Sequence, residues 1–396
     1  MTVRTVNRAL RLVALGSLSG LCVLQSTFPP ALGAAPKDEV NQRPTARLVR
    51  VMDLERILAG DQGKSDAEVS RQLSGLSLTE RMSDATLQSL EQHLPGPKSR
   101  WALVVLADDA VFLRPAAADV IAQAAPDLDG QRRIIAMTVD YLKETIPRLP
   151  DFYATRTTVR FRGSPKDASW LETGSAQEVV TYRDGKEVVR AHAGGVHPFK
   201  SKDNSLITKG VFGPILYTVI RDAAFGETVW ERWERGTNGT TLAVFRYRVP
   251  QSQSHYSVAF HKRASATGEG ELGTGYHGEF AIDPATGTIL RLTVRADLPL
   301  GSPIMGADIM VQYGPVEIGG RTYTCPLRSV SVSLDAEGLM DALQGLDLAV
   351  SGPPDTILLN DVTFGSYHVF RSSAQILTGN VPADGRSDAG GQTPVE

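Results

Sequence analysis

The spacing of apolar residues changes abruptly at about Leu149, and this change constrains the fold more than any other feature of the chain. Before it, apolar residues recur at helical intervals, as in Leu48, Val51, Met52, Leu54, Ile57 and Leu58. After Pro147 to Pro150 the interval becomes two, and β-branched and aromatic residues grow frequent between turn signals. A stripe at 3.6-residue spacing buries one side of a helix, whereas alternation buries one face of a strand. The expected fold class is therefore α+β: a helical region over residues 45–150, then an antiparallel β domain over 151–372.

Local signals subdivide the helical region. Ser65 with Glu68 fits a capping box, and Ser83 opens a stretch through Leu87, Leu90 and Leu94 that Pro95-Gly96-Pro97 ends. A buried helix is expected from Trp101 to Phe112. A longer one is expected from Gln131 to Ile146, with Ile134, Ile135, Val139, Leu142 and Ile146 on one side.

In the β domain, Val179 to Tyr182 and Glu187 to Ala191 flank Asp184-Gly185, and Trp230 to Arg235 and Leu242 to Val249 flank Asn238-Gly239. Both dipeptides suit the positive φ angles of tight hairpins. Tyr276 to Ile282 and Thr288 to Ala296 flank Asp283-Pro284-Ala285-Thr286-Gly287, and Gly319-Gly320 turns the chain from Val316 back into Arg321 to Cys325. One or two helices are expected to pack on the sheet, at Pro214 to Ala224 and Ala336 to Leu346, with a last strand from Ile357 to Phe370. Residues 373–396 hold almost nothing to bury and read as a disordered tail.

The first residues speak to compartment. Arg4, Arg8 and Arg11 precede an apolar run from Leu12 to Leu24, and Ala31-Leu32-Gly33-Ala34-Ala35 follows Pro29-Pro30. This is the order of a secretory signal peptide, read as residues 1–34. The run is 13 residues long with Gly16 and Gly20 inside it, short of the roughly 20 apolar residues of a membrane span. Export to the periplasm or beyond is expected, with no transmembrane segment in the mature chain. Cys22 follows Leu21, too large for the residue before a lipidated cysteine.

Without the signal segment Cys325 is the single cysteine, so no internal disulfide can form and a core must hold the chain together. Loss of the three signal arginines takes the formal charge from −3 to −6, with no basic run. Nucleic acid, which needs clustered Lys and Arg, is not an expected partner.

Histidines are the first place to seek a metal or a general base. His192 and His197 bracket a short stretch read as a loop. His255 and His261, six apart, are expected on one strand face. His277 on a neighbouring strand, with Glu279 pointing the same way, would complete a candidate metal set of His255, His261, His277 and Glu279. Against it stands the absence of a helical zinc pair or clustered cysteines. There is no Gly-x-Ser-x-Gly elbow, and Ser252 and Ser254 beside His255 have no legible acid partner. Cys325, before Pro326 at a strand end, reads as a buried hydrophobe rather than a nucleophile.

Gly268-Glu269-Gly270 and Gly273-Thr274-Gly275 lack the following helix of a phosphate loop and read as a flexible connection. Trp230 and Trp233 are expected on opposite faces of a strand, one in the core. Asp108-Asp109 and Asp283 read as solvated or helix-end acids. No cofactor is implied.

Two stretches carry a resemblance. Leu149-Pro150-Asp151-Phe152-Tyr153-Ala154-Thr155-Arg156-Thr157-Thr158, and Tyr276 to Gly287 continuing through Tyr313-Gly314-Pro315-Val316-Glu317-Ile318-Gly319-Gly320, together with Leu78-Thr79-Glu80-Arg81-Met82-Ser83, resemble an uncharacterised family of predicted secreted bacterial proteins. That resemblance implies no activity. The second half, with its Asp-Pro-x-Thr-Gly turn and a Gly-Gly hairpin ending in Pro326, is also similar to the open half-barrel sheets of periplasmic lipoprotein carriers and the related envelope-stress regulators. This similarity implies a curved sheet with an apolar concavity for acyl chains or peptides.

The expectation for function is an exported, non-enzymatic module that binds a hydrophobic ligand, such as a lipid or acyl chain, or an envelope protein partner. The alternatives are a metal-dependent extracytoplasmic hydrolase using the histidine set and a structural cell-surface protein.

Overall fold

A computed structural model describes residues 46–369, apart from Gln62, Pro165 and Lys166, residues 192–205 and 208–213, 262–268, 300–301, Pro303 and 336–355. The expected signal segment, the helix at Ala336 to Leu346, the tail, His192 and His197 lie outside the described residues.

The N-terminal region is helical, as its periodicity predicts. α1 (Val51–Ala59), α2 (Asp66–Ser74), α3 (Asp84–Glu91) and α4 (Pro97–Asp109) surround a core of Leu54, Val69, Leu73, Leu103 and Leu106. The capping box of α2 is formed: the Ser65 hydroxyl accepts from the Glu68 amide, and the Glu68 carboxylate accepts from the Ser65 amide at 2.9 Å. The Ser83 hydroxyl caps α3 through the Thr86 amide. Leu48 departs from the expected helix. It lies in β1 (Arg47–Val49), which pairs in parallel with β2 (Leu76–Leu78). With only three residues, Arg47, Leu48 and Val49, the segment is too short for periodicity to separate strand from helix.

α5 (Leu128–Thr145) follows the short β3 (Val120–Ile121) and is capped by Asp127 through the Gly130 amide at 2.7 Å. The chain then enters β4 (Phe152–Ser164), β5 (Asp167–Arg183) and β6 (Lys186–Ala191), followed by β7 (Leu206–Ile207) and α6 (Pro214–Ala223). The remaining strands are β8 (Glu227–Arg235), β9 (Thr241–Val249), β10 (Ser257–His261), β11 (Glu269–Gly273), β12 (Gly275–Ile282), β13 (Ile289–Asp297), β14 (Ile304–Ile318), β15 (Arg321–Asp335) and β16 (Thr356–Val369).

Eleven of these strands form one open antiparallel sheet in the order β3-β8-β9-β12-β13-β14-β15-β16-β4-β5-β6. A three-stranded sheet, β11-β10-β7, is separate from it. Two of the turns follow their sequence signals, with Asp184 and Gly185 at φ of 50° and 72° and Gly319 and Gly320 at 61° and 80°, whereas the expected tight turn at Asn238-Gly239 is a short 3-10 turn over Thr237–Gly239 that ends on Gly239 at φ 75°. Asp283 organises its turn by accepting from the Ala285 amide and the Thr286 hydroxyl. Gly287, at φ 76°, closes that turn against α5, where a Cβ would stand 2.6 Å from the Met137 backbone. Here the glycine is needed both for the left-handed conformation and for the close approach.

The large sheet is covered on both faces. Phe245, Tyr247, Tyr276, Phe280, Leu292, Ile309 and Val311 form the core of one face, where Ile134 and Leu142 of α5 and Ile215, Leu216 and Val219 of α6 pack. Neighbouring residues such as Met310, Val330, Leu359 and Phe161 point the other way and meet Val105 and Val111. The helical region and the sheet thus belong to one compact unit.

Strand β8 corrects one expectation. Its register with β9 shifts between Trp230 and Arg232, so Glu231 is an extra residue and the alternation slips by one. Trp230 and Trp233 consequently lie on the same apolar face, in an edge contact of 4.8 Å between ring centroids. Trp233 donates its indole N–H to the Ala124 carbonyl at 2.9 Å.

Candidate functional site

The described residues enclose a cleft of about 270 Å³ between α2, α4 and the β4–β5 hairpin. Leu73, Val105, Leu106 and Phe161 form an apolar floor, Trp101 and Trp170 stand over it, and Lys98, Asp109 and Glu172 are polar neighbours.

The position of α4 explains why the cleft exists. Its N-cap, Gly96, supplies no side chain, and the first amides of the helix are met instead from α2. Asp66 accepts from the Lys98 amide at 3.1 Å and from the Ser99 amide at 2.8 Å. An N-cap partner is thus borrowed from another helix, which fixes the angle between them. Trp101 lies one turn further on, 43% exposed, with its ring centroid 6.1 Å from that of Phe161. Across the hairpin Trp170 pairs with Gly163, and a Cβ at Gly163 would come within 2.9 Å of the Trp170 ring. The missing side chain lets that indole lie over its neighbouring strand.

Behind α4 is a buried charge cluster. Asp108, at the last turn of the helix, accepts a hydrogen bond from Arg328 of β15, which also donates to Asp361 of β16 at 2.9 Å. Burial raises the Asp108 carboxyl well above the ordinary carboxylate range; Arg328 pulls it down, while Asp361 and Asp109 push it further up. Asp108 is therefore neither solvated nor a simple helix-end acid.

A second cluster joins the helical region to the other end of the sheet. Glu234 binds Arg81 at 2.6 Å, Arg291 at 2.7 Å and Arg232 at 2.9 Å, and Arg232 also grips Glu279 at 2.6 Å. Burial opposes ionisation of Glu234, but the three guanidinium groups outweigh it and hold its carboxyl far below the ordinary range.

The candidate metal residues are each placed in different surroundings. His255 precedes β10 rather than sharing a strand face with His261, because the chain passes through a short 3-10 turn at Gln251–Gln253 before the strand begins. The His255 ring Nδ1 lies 2.8 Å from Asp222 of α6, and its amide donates to the same carboxylate at 2.7 Å. Tyr276 and Arg221 also donate to Asp222. His277 is on β12, which pairs with β9 and β13 and not with β10, and its Nδ1 is 2.8 Å from Asp297. Glu279 shares the His277 face, as alternation predicts, and is held by Arg232. The backbone of His261 pairs with Glu269 in the smaller sheet. Among the described residues no group of three or more His, Cys, Asp or Glu side chains is arranged to hold a metal.

Asp222 is the acid partner of His255 that sequence spacing did not disclose, since it lies 33 residues upstream on a helix. Cys325 is buried, and burial alone pushes its thiol up to about 12, so it remains protonated at neutral pH. Trp170 and Phe161 are not singled out by sequence, where only the general rise in aromatic residues after Pro150 covers them. No helix among the described residues is long and apolar enough to cross a membrane.

No protein-family model matches the chain, and no curated protein or solved structure is significantly similar to it.

Proposed function

We propose that the protein is an exported, non-enzymatic binding module for a hydrophobic ligand, a lipid or acyl chain, or for an apolar segment of an envelope protein. The observation that carries this reading is the cleft lined by Trp101 and Trp170, with its buried apolar floor and charged rim. Concave sites of this kind, apolar within and polar at the mouth, are the usual form of small-ligand pockets, and about 300–1,000 Å³ is their ordinary size. At about 270 Å³ this cleft fits a short acyl group or one bulky side chain rather than a long lipid. Aromatic rings supply large contact area at small entropic cost.

Part of the proposal is that the eleven-stranded sheet serves as an open half-barrel. Register shifts in β8, β12, β14, β4 and β16 are the kind of irregularity that bends strands and lets a sheet curve. The order of basic, apolar and small residues in 1–34 supports export.

The test is equilibrium binding of decanoate to the mature chain, followed by tryptophan fluorescence. Trp101→Ala is expected to weaken binding at least about tenfold, the loss of one well-packed aromatic contact, while Trp230→Phe leaves it unchanged. Failure of decanoate to perturb the cleft tryptophans, together with recovery of the chain free of lipid and of any envelope protein, overturns the reading. Cell fractionation tests the export.

A further inference from the structure

We infer that Asp108 is a proton-operated latch that sets how firmly α4, one wall of the cleft, is held against the sheet, α4 loosening as this carboxyl ionises. The functional consequence rests on the binding reading of the cleft; the latch itself does not.

The geometry is one of unequal charge. Two carboxylates, Asp108 and Asp361, share the single guanidinium of Arg328, and their side chains are 1%, 7% and 17% exposed respectively. Arg328 contacts only one oxygen of Asp108; the other, Oδ2, is buried with no hydrogen-bond partner. Asp109 adds a third acid from α4 itself. Asp108 also sits where the helix macrodipole presents its negative end. The next residue along the sheet, Gln312 of β14, is occupied by Asp84 of α3 at 2.7 Å and 2.8 Å and gives no cation. Val105, Val111, Met310 and Val330 form a buried apolar cluster between α4 and the same face of the sheet. Two buried negative charges here share the one guanidinium of Arg328, whereas a neutral acid leaves Arg328 and Asp361 as a balanced pair.

The same helix faces both ways. Lys98, Trp101, Ala102, Val105, Leu106 and Asp109 of α4 line the cleft. Loosening at Asp108 therefore moves the cleft wall. In the docked state the carboxyl keeps its proton to higher pH than in the loosened state, where it ionises near about 3.9. Between that value and the raised one, docking weakens as pH rises, by up to about tenfold per pH unit for one proton.

Hydrogen exchange of the α4 amides in the ligand-free full chain, corrected for intrinsic exchange, tests the latch from mildly acidic to mildly alkaline pH. Protection is expected to fall by up to about tenfold per pH unit as pH rises toward the raised Asp108 value and to level off beyond it. Asp108→Asn, which imitates the neutral acid, is expected to stay protected throughout, and Asp361→Asn to narrow the window by lowering its upper end. A wild-type profile that does not change with pH overturns the proposal, as does Asp108→Asn retaining the wild-type slope. Decanoate binding is measured alongside. An affinity that follows the exchange profile in the wild type and is flat in Asp108→Asn supports the coupling; equal affinity at every pH overturns it. If exchange behaves as expected but decanoate does not bind, the binding reading fails and the latch stands.

Discussion

Arg81, at the end of the helical region's second strand connection, donates to Glu234 on β8 at 2.6 Å, an ion pair that spans 153 residues of sequence and is shielded from water at both ends. Two further arginines, Arg232 and Arg291, complete the shell around the same carboxylate. The helical region is thus tied to the sheet by a charge that water cannot replace.

Removing that carboxylate leaves three arginines facing one another. Glu234→Ala is expected to cost about 3–5 kcal/mol, the usual penalty for orphaning a buried charge, measured by urea denaturation. The wild type carries a pH signature of opposite sign to that of Asp108. The Glu234 carboxyl is held far below its unfolded value, so its contribution is fully present above about 4.3 and is lost as pH falls toward the folded value. Acid denaturation of the wild type that is no steeper than that of Glu234→Gln contradicts this.

Asp222 anchors α6 by accepting from His255, Tyr276 and Arg221. Asp222→Ala leaves the buried Tyr276 hydroxyl and the His255 amide without their acceptor, and about 1–3 kcal/mol is the expected loss. Calorimetry of the variant measures it, and a melting temperature equal to that of wild type contradicts the assignment.

Gly287→Ala is expected to destabilise by about 1–3 kcal/mol, the cost of a left-handed non-glycine residue, and to disturb α5 as well. The added methyl meets Met137 and Thr138 backbone atoms. Chemical shifts of the α5 amides report the displacement, and a change confined to residues 283–288 argues against the contact.

Cys325 gives a probe of global unfolding. Its thiol is buried and pushed up to about 12, so the small thiolate fraction and the lack of access both suppress reaction. Native protein is expected to resist a thiol reagent and to react at once in denaturant. Rapid labelling without denaturant contradicts the packing.

The change of period at Leu149 falls where α5 gives way to β4, because the long elements on each side offer enough residues for their spacing to be read, whereas the short β3 before it and α6 after it depart from the spacing of their halves. Ser65, Ser83, Asp184-Gly185 and Gly319-Gly320 were legible because each acts on neighbours a few residues away. What escaped detection was long-range. Asp222 with His255, Arg81 with Glu234, and Trp101 beside Trp170 are brought together by strand order and helix docking, neither of which leaves a local mark. The tryptophan pair of β8 was misread for the opposite reason: one inserted residue, Glu231, reverses an alternation that is otherwise reliable.

Strand β16, the last described element, lies in the interior of the sheet, with β15 and six other strands on one side and β4, β5 and β6 on the other. A ribosome delivering this chain from its beginning therefore makes the β4–β6 hairpins long before their bridging neighbour exists. Until the residues from Thr356 onward emerge, no strand pairing joins them to the other seven strands, and a nascent chain or truncated product ending before Thr356 holds two separate ribbons with bare edges.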